Sequence, residues 1–244
     1  MKAYSLIKET VLRKTSIRVV HLSWFAVYPA IFLIPWPPET WQWGPFLFGW
    51  SGCLLPLLLS EGIFGDDIAS GRIRTLVTEP IRPTELYLYR FLGLSLQAAA
   101  HFLAVGVSIW LLYRLTGRGS IGHFALWVLA SWLVFNTWAA LSTSLSVVLK
   151  RSNNSMLLFL ATVIAFVLLN LLTQFFPQSM VVEAIRQTVR YVGPPVEFLG
   201  QTALGKFSLL QGVGCVVHSL LLAALYGTAG IILLGRREFK YVAD

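Results

Sequence analysis

Three groups of residues in this chain could do chemistry. The first is Gly49-Trp50-Ser51-Gly52, a GxSG pattern, together with His218 far along the chain. A serine hydroxyl attacks only when a base takes its proton, so a serine and a histidine are the minimum for acyl transfer. The second is a scatter of polar side chains inside strongly apolar runs. Gln97 and His101 are four apart and share a helix face. Asn136, Thr137, Ser142, Thr143, Ser144 and Ser146 follow, then Asn170 and Thr173, then His218 and Ser219. Polar groups at membrane depth turn toward one another or toward a wetted path. Gln97, His101, Asn136, Asn170 and His218 are therefore candidates for a translocation path, and hydrogen-bonded glue between helices is the competing role. The third is the charged stretch that begins at Asp67. Other chemistries find no support. Cys53 and Cys215 stand apart with no CxxC or Cys/His cluster, so no metal centre is expected. There is no GxxxxGK[ST] loop, so the chain is not expected to hydrolyse ATP or to hold a cofactor itself. No carboxylate sits mid-run, which argues against an ion-coupled carrier.

The elements that must position these residues follow from composition. Of the 244 residues, 56% are hydrophobic and 12% charged. Soluble domains carry roughly 25% charged residues, so most of this apolar surface is expected to face lipid or other membrane helices. Runs long enough to cross the bilayer, about 17 to 25 residues, occur at 19–36, 45–64, 91–113, 124–149, 156–176 and 209–234. They do not alternate as barrel strands do, so six helices are expected. The fold class is thus all-α and integral to the membrane, a single transmembrane domain over 1–244.

Charge sets the orientation. Fourteen of the nineteen Lys and Arg residues fall in one set of connecting segments. The positive-inside rule makes that set cytoplasmic, with both termini there and the chain multi-pass in the inner (plasma) membrane. The net charge of +8 is read as topology and not as nucleic-acid binding, since the basic residues flank apolar runs. The first 18 residues are basic and mixed and the apolar run after them has no small-x-small site, so no cleavable signal is expected and that run is expected to stay as an anchor. Ala3, Ile7 and Val11 among Lys2, Lys8, Glu9, Arg13 and Lys14 predict an amphipathic helix along the cytoplasmic interface. The first external loop, 35–45, has no Lys or Arg, and Trp36, Trp41 and Trp43 fit an interfacial belt. Residues 177–208 predict two short external helices, 181–192 and 196–204, interrupted at Gly193-Pro194-Pro195 and packed on or dipping into the outer side.

The loop at 65–90, between the second and third runs, predicts two short helical pieces. Ile73, Leu76 and Val77 put an apolar ridge on one face, Pro80 and Pro83 force a break, and Thr84 is the expected N-cap of a helix running into the third span. A short amphipathic helix held at the end of two spans is a docking device for a groove on a soluble partner.

This loop resembles that of the permeases of ATP-binding cassette (ABC) transporters, the type-2, exporter-like family. That family carries an acid, then Gly-Thr-Leu, two or three apolar residues, Ser or Thr, a variable residue, Pro-Val-Ser-Arg, and a basic residue opening the third span. Here Asp67 stands for the acid, Gly71 for the glycine and Ile73 for the leucine. Leu76-Val77, Thr78, Pro80-Ile81 and Arg90-Phe91-Leu92-Gly93 fill the remaining positions. The match departs at Arg72 and at Arg82-Pro83. What the resemblance implies is an interface helix before the first span and a coupling helix formed by Asp67, Gly71, Arg72, Ile73, Arg74, Thr75, Leu76, Val77, Pro80 and Arg82. It further implies a second permease subunit, identical or related, and two copies of an ATPase subunit that bind ATP and Mg. ATP binding would draw the ATPases together and rock the two six-span halves between states, with export the expected direction.

Two rivals share parts of the pattern. Six-span intramembrane serine proteases resemble this chain in pairing a GxSG serine with a histidine on the last span, here Ser51 and His218, although theirs lies in the fourth span and this one in the second. A non-transporting membrane scaffold or anchor would share the topology without the coupling loop.

Overall fold

The computed structural model describes residues 2–15, 58–72, 81–115, 121–149, 153–176, 178–195 and 208–236. The first predicted span, most of the second, the coupling ridge at 73–80 and the stretch 196–204 lie outside them. Seven helices are described: α1 (Lys2–Thr15), α2 (Gly65–Ala69), α3 (Pro83–Leu115), α4 (Ile121–Val148), α5 (Asn153–Phe175), α6 (Met180–Val192) and α7 (Leu209–Arg236). Among the described residues the regular structure is all helical.

Four of these helices are long and apolar enough to cross a membrane: Pro83–Val107, Ala125–Val148, Asn153–Phe175 and Leu209–Arg236. They coincide with the third to sixth runs of the sequence. The chain is therefore compatible with a multi-pass membrane protein.

The order of partners along the helices fixes how they run. Trp132 Nε1 on α4 donates to Ser95 O on α3 at 3.0 Å, and the Tyr87 hydroxyl reaches Ser144 Oγ at 2.9 Å. Low numbers on α3 meet high numbers on α4, so the two are antiparallel. Thr137 Oγ1 donates to Ser219 O at 3.3 Å, and Ser144 Oγ to Tyr226 O at 2.6 Å. Both partners advance by seven residues, so α4 and α7 are parallel. One end of the bundle thus gathers α1, the start of α3 and the last turns of α7. The opposite end holds Leu115, Ile121 and Leu209.

α4 is central, packing along α7 and α3 and touching α5. About half of α3 and of α4 is buried within the chain, but very little of α5 or α7. The buried seam is aromatic. Phe102 sets its ring edge-on to Trp127 and Phe135, with centroids 6.1 and 6.3 Å apart, and Phe64 stacks on Tyr87 at 5.6 Å. Such pairs contribute about 0.5–1.5 kcal/mol each beyond the area they bury.

Three details differ from the sequence reading. α3 begins at Pro83, so Thr84 lies inside the first turn and is not the cap. Leu86 N already donates to Arg82 O at 3.0 Å, and Glu85 Oε2 accepts from Arg82 N at 3.2 Å. Proline suits the first helical position because its missing N–H would be unpaired there anyway, and the glutamate supplies the returning half of a capping box. Residues 61–64, assigned to the second span, form turns. Gly62 explains this: it stands at φ 60°, and a Cβ there would strike the Asp66 carboxylate. Finally, the buried face of α1 is Leu6 and Thr10, while the expected ridge of Ala3, Ile7 and Val11 is only half-buried.

Candidate functional site

At the end of the bundle that holds α1, three helices meet over one ionic cluster. Arg90, two turns into α3, is 1% exposed, and Asp67 on α2 is 2% exposed. Arg90 Nη2 donates to Asp67 Oδ2 at 2.9 Å, and Nη1 donates to Glu9 Oε1 at 3.1 Å and Thr10 Oγ1 at 3.0 Å. Arg13 on α1 extends the contact, with Nη1 on Asp67 Oδ1 at 2.8 Å and Nη2 on Asp66 Oδ2 at 3.2 Å. Arg72, just past the end of α2, closes it through Glu9 Oε1 at 2.9 Å. Three guanidinium groups thus face three carboxylates, and the cluster is neutral as a whole.

Local structure makes this geometry possible. Thr10 returns its hydroxyl proton to Leu6 O at 2.8 Å, which aims the oxygen lone pairs at Arg90. Gly93, one turn beyond Arg90, forms a notch against Thr10, and any Cβ there would meet the threonine side chain at 2.7 Å. α1 can therefore lie directly on α3. α2 closes at Gly71, whose φ of 72° suits glycine. Burying charges costs several kcal/mol per ion unless geometry and hydrogen bonds compensate. Here each buried charge has partners, although Arg90 Nε finds no acceptor among the described residues.

A second, uncharged network holds the segment that precedes the cluster. Asn154 at the start of α5 donates to Ser60 O and Ser142 O, both at 3.1 Å, and accepts from Gly62 N at 3.2 Å. Ser146 Oγ accepts from Phe64 N and Gly65 N at 3.0 Å, and Ser60 Oγ donates to Ser142 Oγ at 2.7 Å. α4 and α5 therefore fix the turn that delivers Asp66 and Asp67 to the arginines.

The sequence-derived site residues divide accordingly. Asp67 and Arg72 belong to the ionic cluster, Gly71 lies beside it, and Arg82 caps α3. Ile73, Arg74, Thr75, Leu76, Val77 and Pro80 lie outside the described residues. Of the candidates for a path, Gln97 and His101 are buried on α3. Asn136 donates back to Trp132 O of its own helix, and its Oδ1 has no partner among the described residues. Asn170 is exposed on α5. His218 Nε2 lies 3.0 Å from Gly193 O. Ser142, Ser144 and Ser146 act as interhelical links. Sequence reasoning missed Glu9, Asp66 and Asn154 as members of these networks. The signals were slight: adjacent acids after a Gly-rich turn, and a helix-opening asparagine after Lys150-Arg151.

Compared with protein-family models and with curated proteins, the chain matches none.

Proposed function

We propose that this chain is the transmembrane permease subunit of an ATP-binding cassette transporter, coupling ATP hydrolysis on a separate ATPase subunit to export of a substrate. The observation that carries the reading is the clamp at Asp67 and Arg90. The acid of the coupling-loop pattern and the basic residue that opens the third span are 23 positions apart in sequence, yet they form one buried ion pair. A loop fastened in this way to α1 and α3 moves them as one body, which is what a partner pushing on the loop requires. Both ATPases and a second permease subunit complete the assembly.

The same reading orients the chain. The α1 end of the bundle carries Lys8, Arg13, Arg72, Arg82, Arg90 and Arg236, so by the positive-inside rule it faces the cytoplasm across an inner membrane, with both termini there. Neither rival gains an observation of its own. His218 already spends its Nε2 on a backbone carbonyl, and a scaffold has no use for a loop clamped to two helices.

The test is co-purification. Expressed with its genomic neighbours and extracted in mild detergent, the tagged chain brings down an ATPase near a two-to-two ratio, and Ile73→Asp with Leu76→Asp releases it. If the chain purifies alone and no neighbour encodes an ATPase, the proposal fails.

A further inference from the structure

Two hydroxyls on α4 bond across to α7, and each has a second acceptor on its own helix. Thr137 Oγ1 lies 3.3 Å from Ser219 O on α7 and 3.2 Å from Leu133 O on α4. Ser144 Oγ lies 2.6 Å from Tyr226 O on α7 and 2.8 Å from Ala140 O on α4. A hydroxyl has one proton to give. Each side chain therefore bonds either across the seam or back to the carbonyl four residues earlier, and rotation about its C–O bond chooses. Such back-bonding is open to any serine or threonine inside a helix. Ser219 O and Tyr226 O lose little when the proton turns away, because carbonyls inside α7 keep the N–H four residues on. The Tyr87 hydroxyl fits the same scheme. It reaches Ser144 Oγ at 2.9 Å and Ala140 O at 3.3 Å, so it keeps an acceptor whichever way Ser144 turns.

The seam between α3 and α4 is built differently. The Trp132 indole N–H stands at the edge of a stiff ring, away from its own backbone, and donates to Ser95 O on α3. Phe102 on α3 wedges its ring against Trp127 and Phe135 on α4. α1 is fastened to α3 through Arg90, Glu9 and Thr10. α7, by contrast, turns a smooth face to α4. Ser219, Ala223, Gly227 and Gly230 share that face, and a Cβ at Gly230 would strike Ser144 Oγ and the Tyr87 ring. Apolar packing between spans gains little in lipid, where acyl chains replace the lost neighbour.

We infer that Thr137 and Ser144 form a switchable joint. With their protons on Ser219 O and Tyr226 O they hold α7 to α4, and with their protons on Leu133 O and Ala140 O they release it, while α1, α3 and α4 stay one body. The end of α6 goes with α7, since the Tyr226 hydroxyl donates to Val192 O at 2.5 Å and His218 Nε2 lies 3.0 Å from Gly193 O. The inference rests on the reading of α3, α4 and α7 as membrane spans and not on ATPase coupling.

The test is pulsed electron paramagnetic resonance on the full chain in lipid nanodiscs, with Cys53→Ala and Cys215→Ala and nitroxides on paired cysteines. Leu92→Cys with Leu129→Cys spans α3 and α4, and Leu129→Cys with Leu225→Cys spans α4 and α7; all three positions are exposed. Labelled chain is diluted with unlabelled chain, so that only distances within one chain are read. Thr137→Val with Ser144→Ala removes both hydroxyls and strands no donor, because Tyr87 keeps Ala140 O. In that double variant the α4–α7 pair is expected to lose weight at the parent distance and gain a second one, while the α3–α4 pair keeps a single distance. Thr137→Ser retains a hydroxyl and should match the parent. Ser144→Ala alone should shift weight in the same direction, and it keeps the test valid if the double variant does not fold. An α4–α7 distance that losing the hydroxyls leaves unchanged overturns the joint, and so does a second distance in the α3–α4 pair.

Discussion

Arg90 has no water to fall back on. Its guanidinium is sealed under α1, so removing it strands Asp67 and Glu9 while Arg13 and Arg72 still hold part of the cluster. Breaking one side of a buried pair costs about 3–5 kcal/mol. With those neighbours in place, Arg90→Met is expected to cost about 3 kcal/mol, read as a fall in the thermal midpoint in detergent. Arg90→Met combined with Asp67→Asn should recover more than half of that, since both charges then leave together. An additive double variant would mean that the pair is not coupled. Gly62→Ala places a Cβ at positive φ and against the Asp66 carboxylate. It is expected to cost on the order of 2–3 kcal/mol by the same assay, and a neutral result would show that the turn relaxes easily. Glu183 is a milder case. Its carboxyl is held below the ordinary 4.5, first by the hydrogen bond from Arg186 and then by that from Gln187. A lowered folded value means that its contribution is fully present above the ordinary pKa and is lost as pH falls through the lowered one. The difference in thermal midpoint between Glu183→Gln and the parent should therefore stay flat from neutral pH down to the ordinary value and shrink below it.

At the scale of elements, α4 and α5 act on the loop from behind. Asn154 bonds Ser60, Gly62 and Ser142 at once. Asn154→Ala should cost about 1–3 kcal/mol through the donors and acceptors it leaves unpaired, and should raise hydrogen exchange at Gly62. Unchanged exchange there would mean that Ser146 suffices. The elements themselves were largely legible in the sequence. α3, α4, α5 and α7 follow the lengths of their apolar runs, because a span is fixed by bilayer thickness and little else. α6 and its stop were legible from the Gly-Pro-Pro break. The inward face of α1 was not. Apolarity favoured Ala3, Ile7 and Val11, but the notch at Gly93 and the acceptor needs of Arg90 select Leu6, Glu9 and Thr10. Those are demands of a partner helix more than 75 residues away, and no local period records them. The cap of α3 was misplaced by two positions because Thr84 has cap chemistry, whereas Pro83 and Glu85 together favour a cap at Arg82 and a first helical residue at Pro83.

At the scale of the molecule, the parallel run of α4 and α7 and the antiparallel run of α3 and α4 put α1 and Arg236 at one end of the bundle. The basic residues cluster there. The loop held at that end by Asp67 and Arg90 is where the proposed ATPase subunit would push. Under the proposed reading, load on the loop would pass through Asp67 to α1 and α3, and from Tyr87 through Ser144 to α7, whose Tyr226 and His218 bond the end of α6. The loop residues proposed to meet the ATPase, Ile73, Leu76 and Val77, are legible only as a pattern of apolar positions, so that contact is the central claim to test. A photo-crosslinking amino acid at Leu76 should form an adduct with an ATPase subunit in membranes from cells expressing the whole operon, while the same probe at Leu12 on the outward face of α1 should not. Adducts from Leu76 with lipid or with this chain alone would contradict the account.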